Sequence, residues 1–365
     1  MPDISEKKPA RRLKILLSSY FFYPSIGGIE SVSLRLAEDF IAAGHEVKVA
    51  TLTPSPVVDE FSFEVARRPG PLRLLAMARW CDVYFQNNIS LKFGWPLLLA
   101  RRPWVVAHHT YIARVDMTVG WRDRIKKWLL RYAENIAISG PVAKTLPVQS
   151  TIIGNPYNDQ LFRLNSGIPR ERELVFVGRL VSDKGVDLLI EALAWLRKEG
   201  LRPGLTIVGE GPELPALQEM VVAKNLESQV RFLGYKTGPA LVELLNQHMI
   251  MVVPSRWPEP FGLVAVEGIA SGCVVVGSED GGLKEAIGGC GLVFPNNSEP
   301  GLRAALKSLL ADPERMASLR QAAPAHLARF RREYAAGRYL GVLGRAVEKA
   351  AKGRTANWPV PPADR

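Results

Sequence analysis

Cysteine is scarce in this 365-residue chain. There are three, Cys81, Cys273 and Cys290, and no two of them have metal-ligand spacing. That argues against a disulfide framework and a thiolate zinc site. Cys81 and Cys273 sit in apolar or strand-like surroundings, so all three are read as reduced thiols of a cytosolic protein. No run of about 18 apolar residues occurs, and no segment is predicted to span a membrane. The start, Met1 to Pro9, lacks the apolar stretch of a secretory signal. The three spaced glycines of a dinucleotide-binding turn are also missing.

What the chain does have is material for two cores. Apolar residues make up 47% and charged residues 23%, an ordinary globular balance, and the length exceeds what one core usually organises. The 31 glycines and 27 prolines are scattered between periodic runs, which predicts many tight turns rather than a disordered polymer. The formal charge of +11 suits nucleic acid, an anionic membrane or a phosphorylated substrate equally, and selects none of them.

Short β-branched runs alternate with helical periodicities, the pattern of parallel sheets wrapped by helices. Strands are expected at Leu13–Ser18, Val47–Thr51, Val83–Gln86, Trp104–His108, Ile136–Ser139 and Thr151–Ile153. A polar linker, Asn158–Arg172, precedes a second series at Glu173–Val177, Leu205–Val208, Val230–Phe232, Ile250–Val253, Cys273–Val276 and Gly291–Phe294. Helices are expected at Ile29–Ala43, stopped by Gly44, and after Gly185, where Val186, Leu189, Ile190 and Leu193 form one apolar stripe. The domains are placed at 12–158 and 173–322, with a final helix at 323–351 packing back on the first and disordered tails at 1–11 and 353–365.

Three loops carry chemistry. Strand one runs through Pro24-Ser25-Ile26-Gly27-Gly28 into a helix, a turn that lets backbone N–H groups approach a phosphate, though a structural turn has the same pattern. The first strand of the second series ends in Gly178-Arg179-Leu180-Val181-Ser182-Asp183-Lys184-Gly185. Two cations at a sheet's C-terminal edge can converge on a diphosphate; a solvated basic pair is the alternative. In Pro254-Ser255-Arg256-Trp257-Pro258-Glu259-Pro260-Phe261-Gly262-Leu263-Val264-Ala265-Val266-Glu267, a glutamate in a Pro-rich loop is followed by one inside a helix expected to start near Phe261. The amides of Phe261, Gly262 and Leu263 would then be unpaired first-turn donors. Glu267 stands in a helix apolar nearly all round, where a lone carboxylate needs a partner such as vicinal hydroxyls.

Together with Gly209-Glu210-Gly211, Gly281-Gly282-Leu283-Lys284-Glu285 and Ser139-Gly140-Pro141-Val142-Ala143, these segments resemble the GT4 family of retaining glycosyltransferases over roughly residues 13–345. The resemblance implies a GT-B fold, two Rossmann-like α/β domains with parallel sheets facing a central cleft. It implies a donor site in which Gly27 and Gly28 offer amides to the donor phosphate and Arg179 and Lys184 grip the diphosphate. Gly178 and Gly209 would lie against the donor. Glu259, helped by the Phe261-Gly262-Leu263 amides, would hold sugar hydroxyls and Glu267 the ribose. Relatives often carry a histidine near the sugar at a first-domain strand end; His109 is chosen over its neighbour His108. The segment Ile153-Gly154-Asn155-Pro156-Tyr157-Asn158 departs from the Asn-Gly-apolar-Asp pattern common in relatives.

No Asp-x-Asp occurs, the pair that glycosyltransferases of the other common fold use to hold a divalent metal, so neither a metal nor another cofactor is expected. The implied reaction is retaining transfer of a hexose-type sugar from a UDP- or GDP-sugar to a glycan, lipid-linked or small-molecule hydroxyl acceptor. A sugar-nucleotide 2-epimerase of the same fold, a non-catalytic nucleotide-sugar-binding subunit and, more distantly, a dinucleotide-dependent oxidoreductase are the alternatives. No nucleic-acid partner is expected. In Trp121–Tyr132, residues Trp121, Ile125, Trp128, Leu129 and Tyr132 share one helical face, expected to pack on the sheet. Leu130 is expected to project from the opposite, basic side, giving a cytoplasmic protein a peripheral contact with anionic membrane.

Overall fold

The computed structural model describes residues 11–25, 27–55, 60–114 and 117–353; the expected disordered tails, Arg11 and Gly353 apart, lie outside these residues. The chain divides into two compact units. The first holds the described residues up to Ala137, then Ala143–Ile153 and the chain from Ala336; the second holds Ile138–Val142 and Gly154–Ala335.

Unit one is built on an all-parallel sheet of β1 (Lys14–Ser19), β2 (Glu46–Thr51), β3 (Glu64–Arg67), β4 (Val83–Asn87), β5 (Trp104–His108), β6 (Glu134–Ala137) and β7 (Thr151–Ile152). Their order is β3-β2-β1-β4-β5-β6-β7. Strands β4 and β5 are buried along their whole length, as parallel strands covered on both faces must be. The helix Gly28–Ala42 lays Val32, Leu36 and Phe40 on the sheet, and Gly44 follows it at φ 87°. Phe40 and Tyr339 both meet Phe85 edge-on, at 6.2 and 5.8 Å between ring centres. The last helical stretch is two helices, Ala323–Ala328 and Arg332–Ala351, instead of one over 323–351, and the chain rejoins unit one at Ala336.

Unit two repeats the plan with β8 (Arg172–Val177), β9 (Leu205–Val208), β10 (Val230–Phe232), β11 (His248–Val253), β12 (Val274–Ser278) and β13 (Gly291–Phe294), all parallel, in the order β10-β9-β8-β11-β12-β13. The Val186–Lys198 helix buries Leu189, Ile190 and Leu193 against this sheet's core with Leu174, Phe176 and Ile250. Each such side chain contributes about 1.5–3 kcal/mol on leaving water. The presumed linker is part of this unit: Phe162 is buried, and Asn246 accepts from the Asn165 N–H and donates to the Arg163 carbonyl.

Every expected strand appears within two residues of its expected ends, and the expectation omitted only β3. That strand has four residues, Glu-Val-Ala-Arg, at a sheet edge, too short for an alternation to register. Segment 138–142, expected in the first domain, groups with unit two.

Candidate functional site

In both sheets the strand order reverses between the first and fourth strands, and the loops leaving those two strands part. Ligands of doubly wound sheets sit at this switch point, beyond the strand C-termini. In unit two the loops concerned follow β8 and β11, and they contain Arg179, Lys184 and Glu259.

Glycines let these loops close on one another. Gly209 has φ +143°, and a Cβ there would lie 1.8 Å from the Gly178 carbonyl oxygen; one on Gly211 would lie 2.2 Å from that of Leu180. Gly185, at φ +67°, passes the Pro254 carbonyl, with 2.1 Å left for a Cβ. No side chain fits at any of these points, so Gly-Glu-Gly after β9 shapes the backbone beneath Arg179. Arg179 itself is exposed and has no partner among the described residues.

Residues 182–184 form one 3-10 turn, which brings Lys184 to the β11 loop. Its Nζ is ion-paired with the Glu259 carboxylate, which also accepts from Ser255 Oγ at 2.8 Å. The sequence reading assigned these two residues separate tasks, whereas here each is the other's counter-ion. A bracket behind them fixes the loop. Arg256 donates to both Asp187 oxygens at 2.6 Å and to the Ser182 carbonyl at 3.0 Å, while its own N–H reaches the Asp183 carbonyl at 2.8 Å. Burial raises the Asp187 pKa, but the hydrogen bonds and charge of Arg256 outweigh it and hold the carboxyl below its ordinary value.

The stretch 259–261 is clamped from the far side. Glu259 bridges Gly281 as a parallel pair, and the Gly282 N–H donates to the Glu259 carbonyl at 2.6 Å. A Cβ on Gly281 or Gly282 would come within 2.3 Å of the Glu259 or Pro260 carbonyl oxygen. Ser139 Oγ donates to the Pro260 carbonyl at 2.6 Å. Glu285 accepts the Gly140 N–H at 3.0 and 3.2 Å, so this motif glutamate is a structural tie within unit two. Phe261 buries its ring edge-on against Phe330, 5.4 Å between centres.

The helix beyond begins at Leu263, not near Phe261, because Gly262 takes φ 100°. Of the three amides expected in its first turn, only that of Leu263 belongs to it; those of Phe261 and Gly262 lie just before. Leu263 and Glu267, one turn apart, are half-buried with Val264, and the other residues of the helix are buried.

The switch point of unit one is built on hydrogen bonds between side chains, with the Glu30 carboxylate 2.3 Å from where a Cβ on Gly27 would be. Asn87, ending β4, donates through Nδ2 to Ser33 Oγ, which lies 3.0 Å from Ser19 Oγ at the end of β1. The Asn87 oxygen meets His109 Nε2, and the His109 N–H donates to Asn88 Oδ1 at 2.7 Å. The adjacent His108, last residue of β5, pairs instead with Asn135 Oδ1, 3.0 Å from its Nε2. Burial lowers the His108 pKa to about 4, so it is a neutral core residue. His109 is the histidine joined to the sheet edge. Gly28 opens the first helix, and among the described residues nothing lies within 4 Å of where its Cβ would be. Ile26 of the same loop is outside the described residues.

The helix Trp121–Leu129 corrects the expectation for that segment. Trp121, Ile125 and Trp128 are 65%, 40% and 43% exposed, whereas Leu130 is fully buried. The α-helix stops at Leu129 and tightens into a 3-10 turn at Leu130–Tyr132, which rotates Leu130 off the helical wheel and into the core. Periodicity identified the apolar stripe but not what covers it. Among the described residues no helix is long and apolar enough to cross a membrane, and no three His, Cys, Asp or Glu side chains gather as a metal site. All three cysteines are buried and unbridged.

Comparison with known proteins agrees with this geometry. The family model for Glycosyl transferases group 1 matches residues 159–326. A glycogen synthase of Mycobacterium tuberculosis is 28% identical over 366 aligned residues, covering 82% of this chain and 87% of that protein. A D-inositol 3-phosphate glycosyltransferase of Stackebrandtia nassauensis is 32% identical over 222 residues, covering 58% and 50%. Among solved structures, Anabaena HepE in complex with UDP and glucose superposes with a TM-score of 0.76 at 20% identity over 92% of this chain and all of that one. The sucrose-phosphate synthase of Thermosynechococcus elongatus gives 0.75 at 24% identity, over 93% and 100%. Residues 159–326 are thus similar to the group 1 glycosyl transferases, and the chain has the GT-B fold of these solved structures.

Proposed function

We propose that the chain transfers a hexose-type sugar from a UDP- or GDP-sugar to a hydroxyl acceptor with retention of anomeric configuration and without a metal. The carrying observation is the Lys184–Glu259 pair at the β8/β11 switch point, beside the exposed Arg179 and the opening of the Leu263–Ala270 helix. Lys184 and Arg179 supply the positive charge that a departing diphosphate needs, together with the helix N-terminus. With the Lys184 charge drawn to the phosphates, Glu259 accepts from sugar hydroxyls and Glu267 from the ribose. Gly178 and Gly209 keep the floor of this site free of side chains. From unit one we assign the amides at Gly27 and Gly28 to the donor phosphate and His109, held by Asn87, to the sugar.

The acceptor oxygen bonds to the anomeric carbon on the face from which the phosphate leaves, and the leaving phosphate oxygen takes the acceptor's proton. Positioning and charge stabilisation then carry the catalysis. Because HepE has been solved with UDP and glucose, UDP-glucose is the first donor to try. Release of nucleoside diphosphate from a panel of UDP- and GDP-sugars, with the product anomer read by NMR, tests the reading. Transfer with retention supports it. Inversion, or isomerisation of the donor without an acceptor, overturns it.

We further assign the acceptor to a lipid-linked or other surface glycan, reached by peripheral docking of unit one on an anionic membrane. The exposed Trp121, Ile125 and Trp128 lie beside Arg122, Arg124, Lys127 and Arg131, an apolar stripe flanked by cations that suits acidic head groups. Flotation with phosphatidylglycerol vesicles tests this: salt-sensitive binding lost in Trp121→Ser/Trp128→Ser supports docking, and no binding at low salt removes it.

A further inference from the structure

Unit two has a second feature, away from the loops that follow β8 and β11. A pocket of about 710 Å³ lies at the C-terminal end of the Leu263–Ala270 helix, lined by Arg163, Arg170, Arg320 and Arg331 with Asp159 as the one acid. Its volume is in the range of small-ligand sites. Phe162, Leu164, Ile269, Pro324 and Leu327 supply an apolar wall.

The two inner guanidiniums meet at one turn. Arg170 donates to the carbonyls of Leu245 at 3.1 Å and Ser271 at 2.7 Å, and to that of His248. Arg320 donates from Nε to the Gly272 carbonyl at 3.1 Å and, at a long 3.4 Å, from Nη2 to that of Met249. Carbonyls at the C-terminal end of the Leu263–Ala270 helix, capped at Ser271, accept from both arginines. Two half-buried guanidiniums are thereby held at one turn, where their charges repel. Burial and the Arg170 charge both push the Arg320 pKa below its ordinary value, and neither arginine has a carboxylate partner among the described residues. Glu173 and Arg202 line a separate pocket on the other side of this pair, and the Glu173 carboxylate accepts the Gly204 N–H at 3.1 Å. Arg163 and Arg331 stand exposed at the mouth of the first pocket, so its charge is positive from rim to floor.

We infer that this pocket binds an organic phosphate monoester, with the phosphate on Arg170 and Arg320 and an apolar body against Phe162, Leu164 and Leu327. A dianion fits the excess of three positive charges, and guanidinium forks match phosphate oxygens. The site is distinct from the proposed donor site and uses none of its residues.

Phenyl phosphate is the probe, titrated calorimetrically into the whole chain at low salt, with phenol and inorganic phosphate as controls and UDP as a competitor. The inference expects saturable binding of phenyl phosphate, weaker binding of inorganic phosphate and none of phenol. Arg163→Glu/Arg331→Glu, at exposed positions, should weaken phenyl phosphate roughly tenfold or more, since two charges at the mouth change from attracting the dianion to repelling it, with the thermal midpoint and UDP affinity kept. Arg320→Gln should weaken it as well. No saturable binding, binding indifferent to Arg163→Glu/Arg331→Glu, or displacement by UDP would each overturn the assignment. Because the readout is binding, a failure here is separable from a failure of the transferase reading.

Discussion

The two switch points share a strand order and differ in chemistry. In unit two the edge is ionic: Lys184 against Glu259 and Arg256 against Asp187, on loops whose glycines are forced by backbone contact. In unit one the edge is a hydrogen-bonded chain of Ser19, Ser33, Asn87 and His109, with the Glu30 carboxylate against Gly27 and open space where a Gly28 side chain would be. One topology therefore supplies two kinds of surface. The ionic one suits a diphosphate, whose charge grows as it departs, and the hydrogen-bonded one suits the hydroxyls of a sugar. The fold gives the place, and the loop residues decide what binds there.

The comparison can be tested by breaking one edge at a time. The largest effect is expected at the ionic edge. Arg179→Ala and Lys184→Ala should each raise the barrier to turnover by about 2–4 kcal/mol, the scale of a lost oxyanion donor, with the folded structure kept. Steady-state rates beside circular dichroism check this, and unchanged rates in folded variants would remove the diphosphate role.

A pH effect should touch both units. His108 in unit one and His248 in unit two are buried, and burial lowers each pKa from 6.5 to about 4. The unfolded chain therefore binds more protons between these values, and stability falls as pH drops from about 6.5 toward 4. Each histidine accounts for a loss on the order of 3 kcal/mol when that window is crossed. Thermal unfolding followed from pH 7.5 to 5 should show a steadily falling midpoint; a flat profile would mean the two rings are hydrated.

The glycines give a sharper contrast. Gly281→Ala places a Cβ 2.3 Å from the Glu259 carbonyl oxygen at φ +75° and should cost about 1–3 kcal/mol of stability. Gly28→Ala meets nothing within 4 Å among the described residues, so its unfolding midpoint should stay within about 0.5 kcal/mol of the parent. Its donor affinity should fall all the same. Equal destabilisation by both would erase the distinction between a glycine required by the fold and one left open for a ligand. The smallest effect is expected from chelation: EDTA should leave turnover unchanged, and loss restored by magnesium or manganese would contradict the metal-free reading.

Much of this was legible in the sequence because the signals are local. Parallel strands buried on both faces read as continuous apolar runs, so β8 and β11 were plain, while the four-residue edge strand β3 was not. The glycine and glutamate motifs located the switch-point loops. What periodicity cannot report is contact across the chain. Lys184 and Glu259 are 75 residues apart, and their pairing depends on how two loops leave neighbouring strands. The Glu285–Gly140 tie spans 145 residues and has no sequence signal. Asp187 offered a faint one, an acid in the first turn after Gly185, but its partner Arg256 was visible only as part of a motif. The helix at Trp121 shows the same limit: its apolar stripe was expected to be covered, yet Trp121, Ile125 and Trp128 are exposed and only Leu130 is buried, because amphipathicity does not say what covers a face.

The central claim is that the ionic edge of unit two holds the nucleoside diphosphate of the donor. Calorimetric titration of UDP and GDP into the parent chain and into Lys184→Ala tests it most directly. The account predicts saturable binding of at least one nucleotide by the parent and a loss of roughly 30-fold or more, about 2 kcal/mol, in the folded variant. Undiminished affinity in folded Lys184→Ala would contradict it.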